Sequence, residues 1–322
     1  MEWNQKNEPN IPTFNDIVEA HRLIEPFIHR TPILTCKTID EIGGCKLFFK
    51  CENFQKVGAF KARGALNAVL SLSKEQLKYG IATHSSGNHA QAIAYAGGIV
   101  GAKATIIMPK TSPKPKVEAV KGYGAEIIFC EPNQKSREET LRAFLQKTNS
   151  TFIHPYDNFY VIAGQGTCAK ELLEDQPNLD FILTPVGGGG LLSGTSILVK
   201  SLSNFTKVIG VEPKGADDAF RSIRDNKIYP SQEPKTIADG LLTSLSERTF
   251  GIIKQNVERI ITVSEESIIQ AMKLLFERMK IVVEPSGAVP LAGVLEYPEI
   301  FLGSKVGIII SGGNVDLTKL PF

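Results

Sequence analysis

Cysteine is scarce in this chain of 322 residues. The five present, Cys36, Cys45, Cys51, Cys130 and Cys168, are odd in number and scattered, with no Cys-x-x-Cys pair. That argues against a disulfide framework and against structural zinc, and makes the reducing cytoplasm the expected setting. Long apolar runs are missing as well, so no segment reaches the length that spans a bilayer. The stretch from Met1 to Pro12 is polar, carries Pro9 and Pro12, and lacks the basic-then-apolar order of a secretion signal. Neither sign of charge dominates: 36 Lys plus Arg face 34 Asp plus Glu, a formal net charge of +2. Nucleic acid and membrane are therefore not expected partners. The basic stretch Lys110, Lys114, Lys116 and Lys121 is broken by Pro113 and Pro115 and reads as a solvated loop and helix start. There is no internal repeat and no low-complexity tract.

What remains is an ordinary globular composition, 42% hydrophobic and 22% charged, long enough for two packed domains. From Gly80 onward, short apolar runs alternate with helix-like stretches: Ile81-Ala82-Thr83, then His89 to Val100, then Ala104 to Met108 closed by Pro109. The alternation continues through Lys116 to Gly122, Glu126 to Cys130, Ser136 to Lys147 and Thr151 to His154. A second set follows: helix Gly166 to Glu174, strand Phe181 to Val186, helix Leu191 to Leu202 and strand Val208 to Val211. The closing elements are strand Arg259 to Val263, a long helix capped by Ser264, and strand Val306 to Ile310. This is an α/β pattern of parallel-type sheets covered by helices. Ligands of such sheets bind beyond the carboxyl ends of the strands, which directs attention to the loops after Thr83, Val186 and Ile310.

Gly187-Gly188-Gly189-Gly190 joins a strand to a helix, where backbone N–H groups converge on a phosphate at the positive helix end. No Lys-Ser or Lys-Thr follows, so it is not a Walker loop, and the dinucleotide fingerprint is absent. A phosphate-bearing cofactor other than a dinucleotide is the economical reading. Ser85-Ser86-Gly87-Asn88-His89 offers hydroxyls, an amide and helix N-terminal N–H groups suited to a substrate carboxylate. His84 and His89 have no third ligand at helical spacing and are given no metal role. Ser311-Gly312-Gly313-Asn314 brings a hydroxyl to the same region. Lys61, in Gly58-Ala59-Phe60-Lys61-Ala62-Arg63-Gly64-Ala65, reads by that octapeptide alone as a surface lysine opening a helix, yet it is an amine that desolvation could turn into a nucleophile for an aldehyde such as pyridoxal phosphate. Glu212-Pro213-Lys214-Gly215-Ala216-Asp217-Asp218 places hard oxygen ligands at a strand end, suiting Mg²⁺ or Ca²⁺. Arg137, beside Glu138 and Glu139, reads by itself as a helix-surface arginine.

Taken together, Phe-Lys-x-Arg-Gly-Ala, Ser-Ser-Gly-Asn-His, the tetraglycine loop and Ser-Gly-Gly-Asn resemble the fold-type II pyridoxal-phosphate family of serine/threonine dehydratases and serine racemases, in particular its eukaryotic racemase branch. The resemblance covers nearly the whole chain and implies a tryptophan synthase β-like fold. Its expected domains are a large cofactor-binding domain, 1–79 and 155–322, and a small domain, 80–154, closing over the substrate. It implies that Lys61 holds the cofactor as a Schiff base, that Phe60 and Gly240 flank the ring, and that Asn88 contacts its 3′ oxygen. Gly187 to Gly190 with Leu191 would hold the phosphate, and Ser311 would face the ring nitrogen.

The resemblance further implies two acid/base groups, Lys61 and Ser86, on opposite faces of the substrate. Dehydratases of this family usually read Ser-Ala-Gly-Asn where this chain has Ser85-Ser86-Gly87-Asn88, so racemisation of serine with accompanying dehydration is the expected activity. The alternative is a catabolic L-threonine/L-serine or 3-hydroxyaspartate dehydratase. Ser85, Asn88, His89 and Arg137 join Ser86 as implied substrate contacts, Arg137 at a position that helps hold a dicarboxylate inhibitor. Glu212, the Ala216 carbonyl and Asp218 are the implied ligands of a divalent cation (Mg²⁺, or Ca²⁺ or Mn²⁺). Lys56, Gln91, Tyr123, Lys280 and Asn314 match an activating ATP site between the subunits of a homodimer. The chain departs from that site at Cys36, Lys37 and Val57, and Ala59 replaces a serine common before Phe-Lys.

Overall fold

The computed structural model describes residues 11–322; the polar N-terminal stretch read above lies outside the described residues up to residue 10. The first part of the chain forms α1 (Phe14–Ile24), β1 (Ile33–Leu34), α2 (Lys37–Gly43), β2 (Lys46–Cys51), α3 (Lys61–Leu70) and α4 (Lys74–Lys78). Next come β3 (Ile81–His84), α5 (Asn88–Val100), β4 (Ala104–Pro109), α6 (Lys114–Gly122), β5 (Glu126–Cys130), α7 (Gln134–Thr148) and β6 (Thr151–Phe152). Then α8 (Phe159–Asp175), β7 (Phe181–Pro185), α9 (Gly190–Leu202), β8 (Lys207–Pro213), α10 (Asp218–Asp225), α11 (Glu247–Asn256) and β9 (Arg259–Val263). The chain closes with α12 (Glu265–Leu274), α13 (Pro285–Glu296), α14 (Pro298–Phe301) and β10 (Lys305–Ile310).

Two sheets result. The larger has the order β1-β2-β10-β7-β8-β9, parallel throughout except for β1. The smaller, β5-β4-β3-β6, is wholly parallel and uses only residues between Ile81 and Phe152. Helices cover both faces of each sheet, which is why strands such as Ala104–Pro109 are buried at every position and read as apolar runs without alternation. On one face of the large sheet Val211, Ile261, Ile308 and Ile310 pack under Met272, Val289 and Leu291. On the other, Ile182, Val208 and Ile309 meet Ile17, Leu172, Leu192 and Leu198.

Helices α3, α8 and α9 pack with almost no side chain between them. A Cβ on Gly164 would lie 2.7 Å from both the Arg63 carbonyl oxygen and Gly64 Cα, and one on Gly194 would lie 2.4 Å from the Ile162 carbonyl oxygen. Only glycine permits that approach.

Three expectations are corrected. The strand expected at Thr151 to His154 stops at Phe152, because His154 turns inward and its Nδ1 accepts the Asp157 backbone N–H at 2.8 Å. The helix expected from Gly166 begins two turns earlier, at Phe159, with Asn158 as its cap. The long helix from Ser264 passes into a π-turn at Leu275–Met279 and ends at Lys280, which has φ +61°. Strand β2, which carries two lysines, was not anticipated.

Candidate active site

Loops at the carboxyl ends of β3, β7 and β10 converge on one cavity of about 1240 Å³. Phe60, Lys61, Ser85, Ser86, Asn88, His89, Arg137, Gly187 to Gly190, Leu191, Gly240 and Ser311 all line it. Residues more than 200 positions apart in the chain are thus gathered by sheet topology alone.

Lys61 opens α3, and its Nζ donates to the Pro155 carbonyl at 2.9 Å while standing 5.1 Å from the Phe60 ring centroid. Desolvation lowers its pKa from 10.5 to about 8, with the Glu284 carboxylate partly offsetting the effect. An amine near 8 is unprotonated in about a tenth of molecules at pH 7, far more than an ordinary lysine offers, and the free amine is the form that attacks an aldehyde. The approach to Lys61 is zipped onto the loop after β10. Phe60 N–H donates to the Ser311 carbonyl at 3.0 Å, Gly313 N–H to the Gly58 carbonyl at 2.9 Å, and Ala59 bridges Gly312. Val57, a β-branched residue at φ +56°, sits in this segment in a conformation costing about 1–3 kcal/mol. The Asn314 amide holds it there through the Val57 carbonyl at 2.7 Å.

The tetraglycine loop forms a bare cradle. A Cβ at Gly188 would fall 2.3 Å from Tyr156 Cδ1 and one at Gly187 3.0 Å from Leu241 Cα. Gly189, at φ +84°, caps α9 without contributing a side chain, so the positive helix end faces the cavity. An uncapped helix start at one side, a desolvated amine at another and the Ser311 hydroxyl at a third fit pyridoxal phosphate.

Glu284 is a cavity residue that sequence reasoning missed. It is 5% exposed, and the Asn88 amide donates to its two carboxylate oxygens at 2.8 and 3.1 Å. Asn314 donates to Asn88 Oδ1 at 2.9 Å, so the Asn88 amide is held at both ends. Burial raises the Glu284 carboxyl from 4.5 to about 7, against the pull of the Asn88 hydrogen bond. The signal was an acidic residue between the apolar run Ile281-Val282-Val283 and Pro285, a place where a solvated charge is out of context.

Three histidines wall the cavity in neutral form. His84 stacks on Phe152 at 5.5 Å and is lowered to about 4 by burial and by Arg137. His154, edge-on to Tyr156 at 4.6 Å, is lowered to about 3 by burial, and burial holds His89 well below 6.5. Arg137 does not behave as a helix-surface residue. Its acidic neighbours are engaged elsewhere, Glu138 by Gln134 and Glu139 by Lys135, while its own Nε is buried without a hydrogen-bond partner. Lys116 departs from the solvated reading too: it lines the cavity and pairs with Asp239 on the opposite wall, the turn that carries Gly240.

Glu212 and Asp218 lie outside this cavity and are fully buried. Glu212 accepts the Ala219 and Phe220 N–H groups at 3.1 and 2.9 Å, whereas neither oxygen of Asp218 has a hydrogen-bond partner. Burial raises Asp218 to about 6, and burial together with Asp218 raises Glu212 well above 4.5. Two buried carboxylates, one of them with both oxygens orphaned, fit a divalent cation, with Ala216, also buried, in the adjoining turn. Among the described residues no cluster of three or more His, Cys, Asp or Glu occurs, so carbonyls would have to complete the shell. Of the five nucleotide positions none lines the cavity. Tyr123 is exposed edge-on to Tyr95, Lys280 is exposed and Lys56 half-buried, Gln91 is buried, and Asn314 alone joins the Asn88–Glu284 network.

Residues 24–312 match the family model described as pyridoxal-phosphate dependent enzyme. The chain belongs to that family, and its fold is the fold-type II α/β arrangement that the motifs imply. It is 50% identical over 312 residues, 97% of this chain and 99% of the relative, to the beta-hydroxyaspartate dehydratase of Paracoccus denitrificans. It is also 50% identical over 312 residues, 96% of each chain, to the serine racemase of Dictyostelium discoideum. The crystal structure of serine racemase from Dictyostelium discoideum matches with a TM-score of 0.92 at 50% identity, covering 96% of this chain and 100% of that one. No helix among the described residues is long and apolar enough to cross a membrane.

Proposed function

We propose that the protein interconverts L- and D-serine and also eliminates water from serine, releasing pyruvate and ammonia. The observation that carries this reading is the Lys61 amine, depressed to about 8, in one cavity with the Ser86 hydroxyl and the bare glycine helix start. Pyridoxal phosphate, when bound, supplies the electron sink that acidifies the substrate's α-hydrogen. Gly187 to Gly190 and Leu191 would hold its phosphate, Phe60 and Gly240 would flank its ring, Asn88 would orient it, and Ser311 would offer its nitrogen a hydroxyl, which cannot keep that nitrogen protonated as a carboxylate would. Ser85, Asn88 and His89 orient the substrate carboxylate. Lys61 moves the α-proton on one side and Ser86 on the other, which is the pair of groups that inversion requires. The neutral histidines and Phe152 limit water around the reacting carbon.

Incubation with L-serine tests the reading. D-serine by chiral chromatography together with pyruvate is expected, and pyruvate alone would remove racemisation. Ser86→Ala should abolish racemisation and spare elimination from one enantiomer, whereas Lys61→Ala should end both and abolish the visible absorbance that borohydride bleaches.

The finer parts of the reading have separate support. The orphaned Asp218 oxygens support Mg²⁺ (or Ca²⁺ or Mn²⁺) at Glu212, Ala216 and Asp218. Five free cysteines suit a cytoplasmic home. A homodimer with ATP near Lys56, Gln91, Tyr123, Lys280 and Asn314 rests on resemblance. The segment 80–154 is the small domain that closes over the substrate, and Lys116 with Asp239 links it to the opposite wall.

One observation favours a second substrate class. The Arg137 guanidinium at the cavity wall, its Nε buried without a hydrogen-bond partner, suits the distal carboxylate of 3-hydroxyaspartate, which would release oxaloacetate and ammonia. Oxaloacetate formation that falls selectively in Arg137→Ala, with serine turnover retained, would establish it.

A further inference from the structure

Two residues beyond Lys61, Arg63 is fully buried on the far side of α3. Two steps along a helix turn the side chain by about 200°, so a residue that points away from the cavity at position 63 has its counterpart pointing into it at position 61. All five of its N–H groups are used. Nε and Nη2 donate to the two Glu52 oxygens at 2.7 and 2.8 Å, Nη1 and Nη2 to the two Glu171 oxygens at 2.8 Å each, and Nη1 to Thr167 Oγ1 at 3.2 Å. Lys50 completes the group, its Nζ donating to Glu171 at 2.6 Å and to the Thr31 carbonyl at 2.7 Å. Two acids and two bases cancel, and His21, whose Nδ1 stands 3.9 Å from Glu171, is kept neutral by burial.

The group joins the segment leaving β2, which carries Glu52, to α3 and α8. The first turn of α3 has no side-chain cap of its own, Phe60 occupying the cap position without a capping bond. Gly64 and Gly164 set the distance between α3 and α8, but glycines have no side chain to resist rotation about the helix axis. A planar fork gripped bidentately by carboxylates on two other elements does resist it.

We propose that Arg63 is a positioning residue: clamped between Glu52 and Glu171, it fixes the rotation of α3 and thereby aims the Lys61 amine at the cofactor aldehyde. The proposal rests on the reading of Lys61 as the cofactor-binding lysine. A lysine at position 63 would keep the charge and lose the fork.

The test uses the full-length protein, resolved from cofactor and reloaded, with Arg63→Lys compared against wild type. Two constants are measured: the rate at which added pyridoxal phosphate develops the visible absorbance of its bond to lysine, and the affinity for pyridoxamine phosphate, which cannot make that bond. Arg63→Lys should slow the first at least tenfold and leave the second within twofold. An unchanged rate, or equal losses in both constants, in a variant with wild-type circular dichroism overturns the proposal. If Arg63→Lys does not fold, Thr167→Val, which removes one of the five bonds, takes its place with an expected threefold slowing of the first constant only, and the same outcomes overturn it. Failure of the wild type itself to develop visible absorbance would instead sink the reading of Lys61.

Discussion

Replacing Glu284 by glutamine should change how stability depends on pH, most plainly in protein freed of cofactor. Burial raises this carboxyl from 4.5 to about 7. In the unfolded chain it returns to its ordinary value, so between those pH values the native state holds a proton that the unfolded state has released. The stability contributed by that proton is complete below pH 4.5 and is lost as pH rises through 7. The interval from 4.5 to about 7, at about 1.4 kcal/mol per pH unit, corresponds to about 3 kcal/mol. Glutamine has no proton to lose and keeps one acceptor for the Asn88 amide, so the variant escapes this decline. Urea denaturation at pH 5 and pH 8, with and without Glu284→Gln in a Lys61→Ala background, isolates the effect, because groups that do not sense Glu284 cancel in the difference and Lys61, which does, is absent. Relative to the protein that keeps Glu284, Glu284→Gln should gain about 2.5 kcal/mol on going from pH 5 to pH 8, part of the decline having already occurred at pH 5. A difference between the two proteins that is the same at both pH values would refute the account of Glu284 as a buried carboxyl ionising near neutrality.

Two further outcomes follow from the cradle and the acidic turn. Gly188→Ala puts a methyl 2.3 Å from Tyr156 Cδ1, so the ring or the loop must move, and affinity for pyridoxal phosphate should fall at least tenfold in an absorbance titration. An unchanged dissociation constant would separate the glycines from phosphate binding. Millimolar Mg²⁺ should raise the Tm of the wild type at pH 7, because it replaces protons on Asp218 and Glu212, whose pKa values are raised by burial. The shift should vanish in Asp218→Asn and grow between pH 5 and pH 7. Equal shifts in both proteins would place the cation elsewhere.

The strands from β3 to β10 were legible because parallel strands covered on both faces read as apolar runs between helices. Strand β2 was not. Lys50 looks like a solvated charge until Glu171, 121 positions away, is folded against it. The start of α8 was obscured for a related reason: Gly164 and Gly166 weaken a helical pattern locally, and the close approach of α3 and α9 that demands them is tertiary. Within the site, the tetraglycine loop was legible because it carries its chemistry in four adjacent residues, whereas Lys61 in its own octapeptide reads as a surface lysine and stands out only beside that loop and the family resemblance. Glu284, Lys116 and Tyr156 were not legible, since each acquires its role from a partner on another element: Asn88, Asp239 and the glycine cradle. Arg137 was ambiguous because its neighbours in sequence, Glu138 and Glu139, are not its neighbours in function.

The glycine contacts that seat α3 on α8 and α8 on α9 make one mechanical piece of the two ends of the cofactor cradle. Lys61 begins the first of these helices and the tetraglycine loop begins the last. With backbones touching, neither helix can slide or tilt against the other without unseating the shared middle helix. On the function proposed above, the span between amine and phosphate grip would therefore behave as a rigid gauge, cut to the length of one ligand. On that same reading, motion during turnover would fall to the four-stranded sheet and the loop it carries, so that the protein would open and shut around its substrate without loosening its hold on the cofactor.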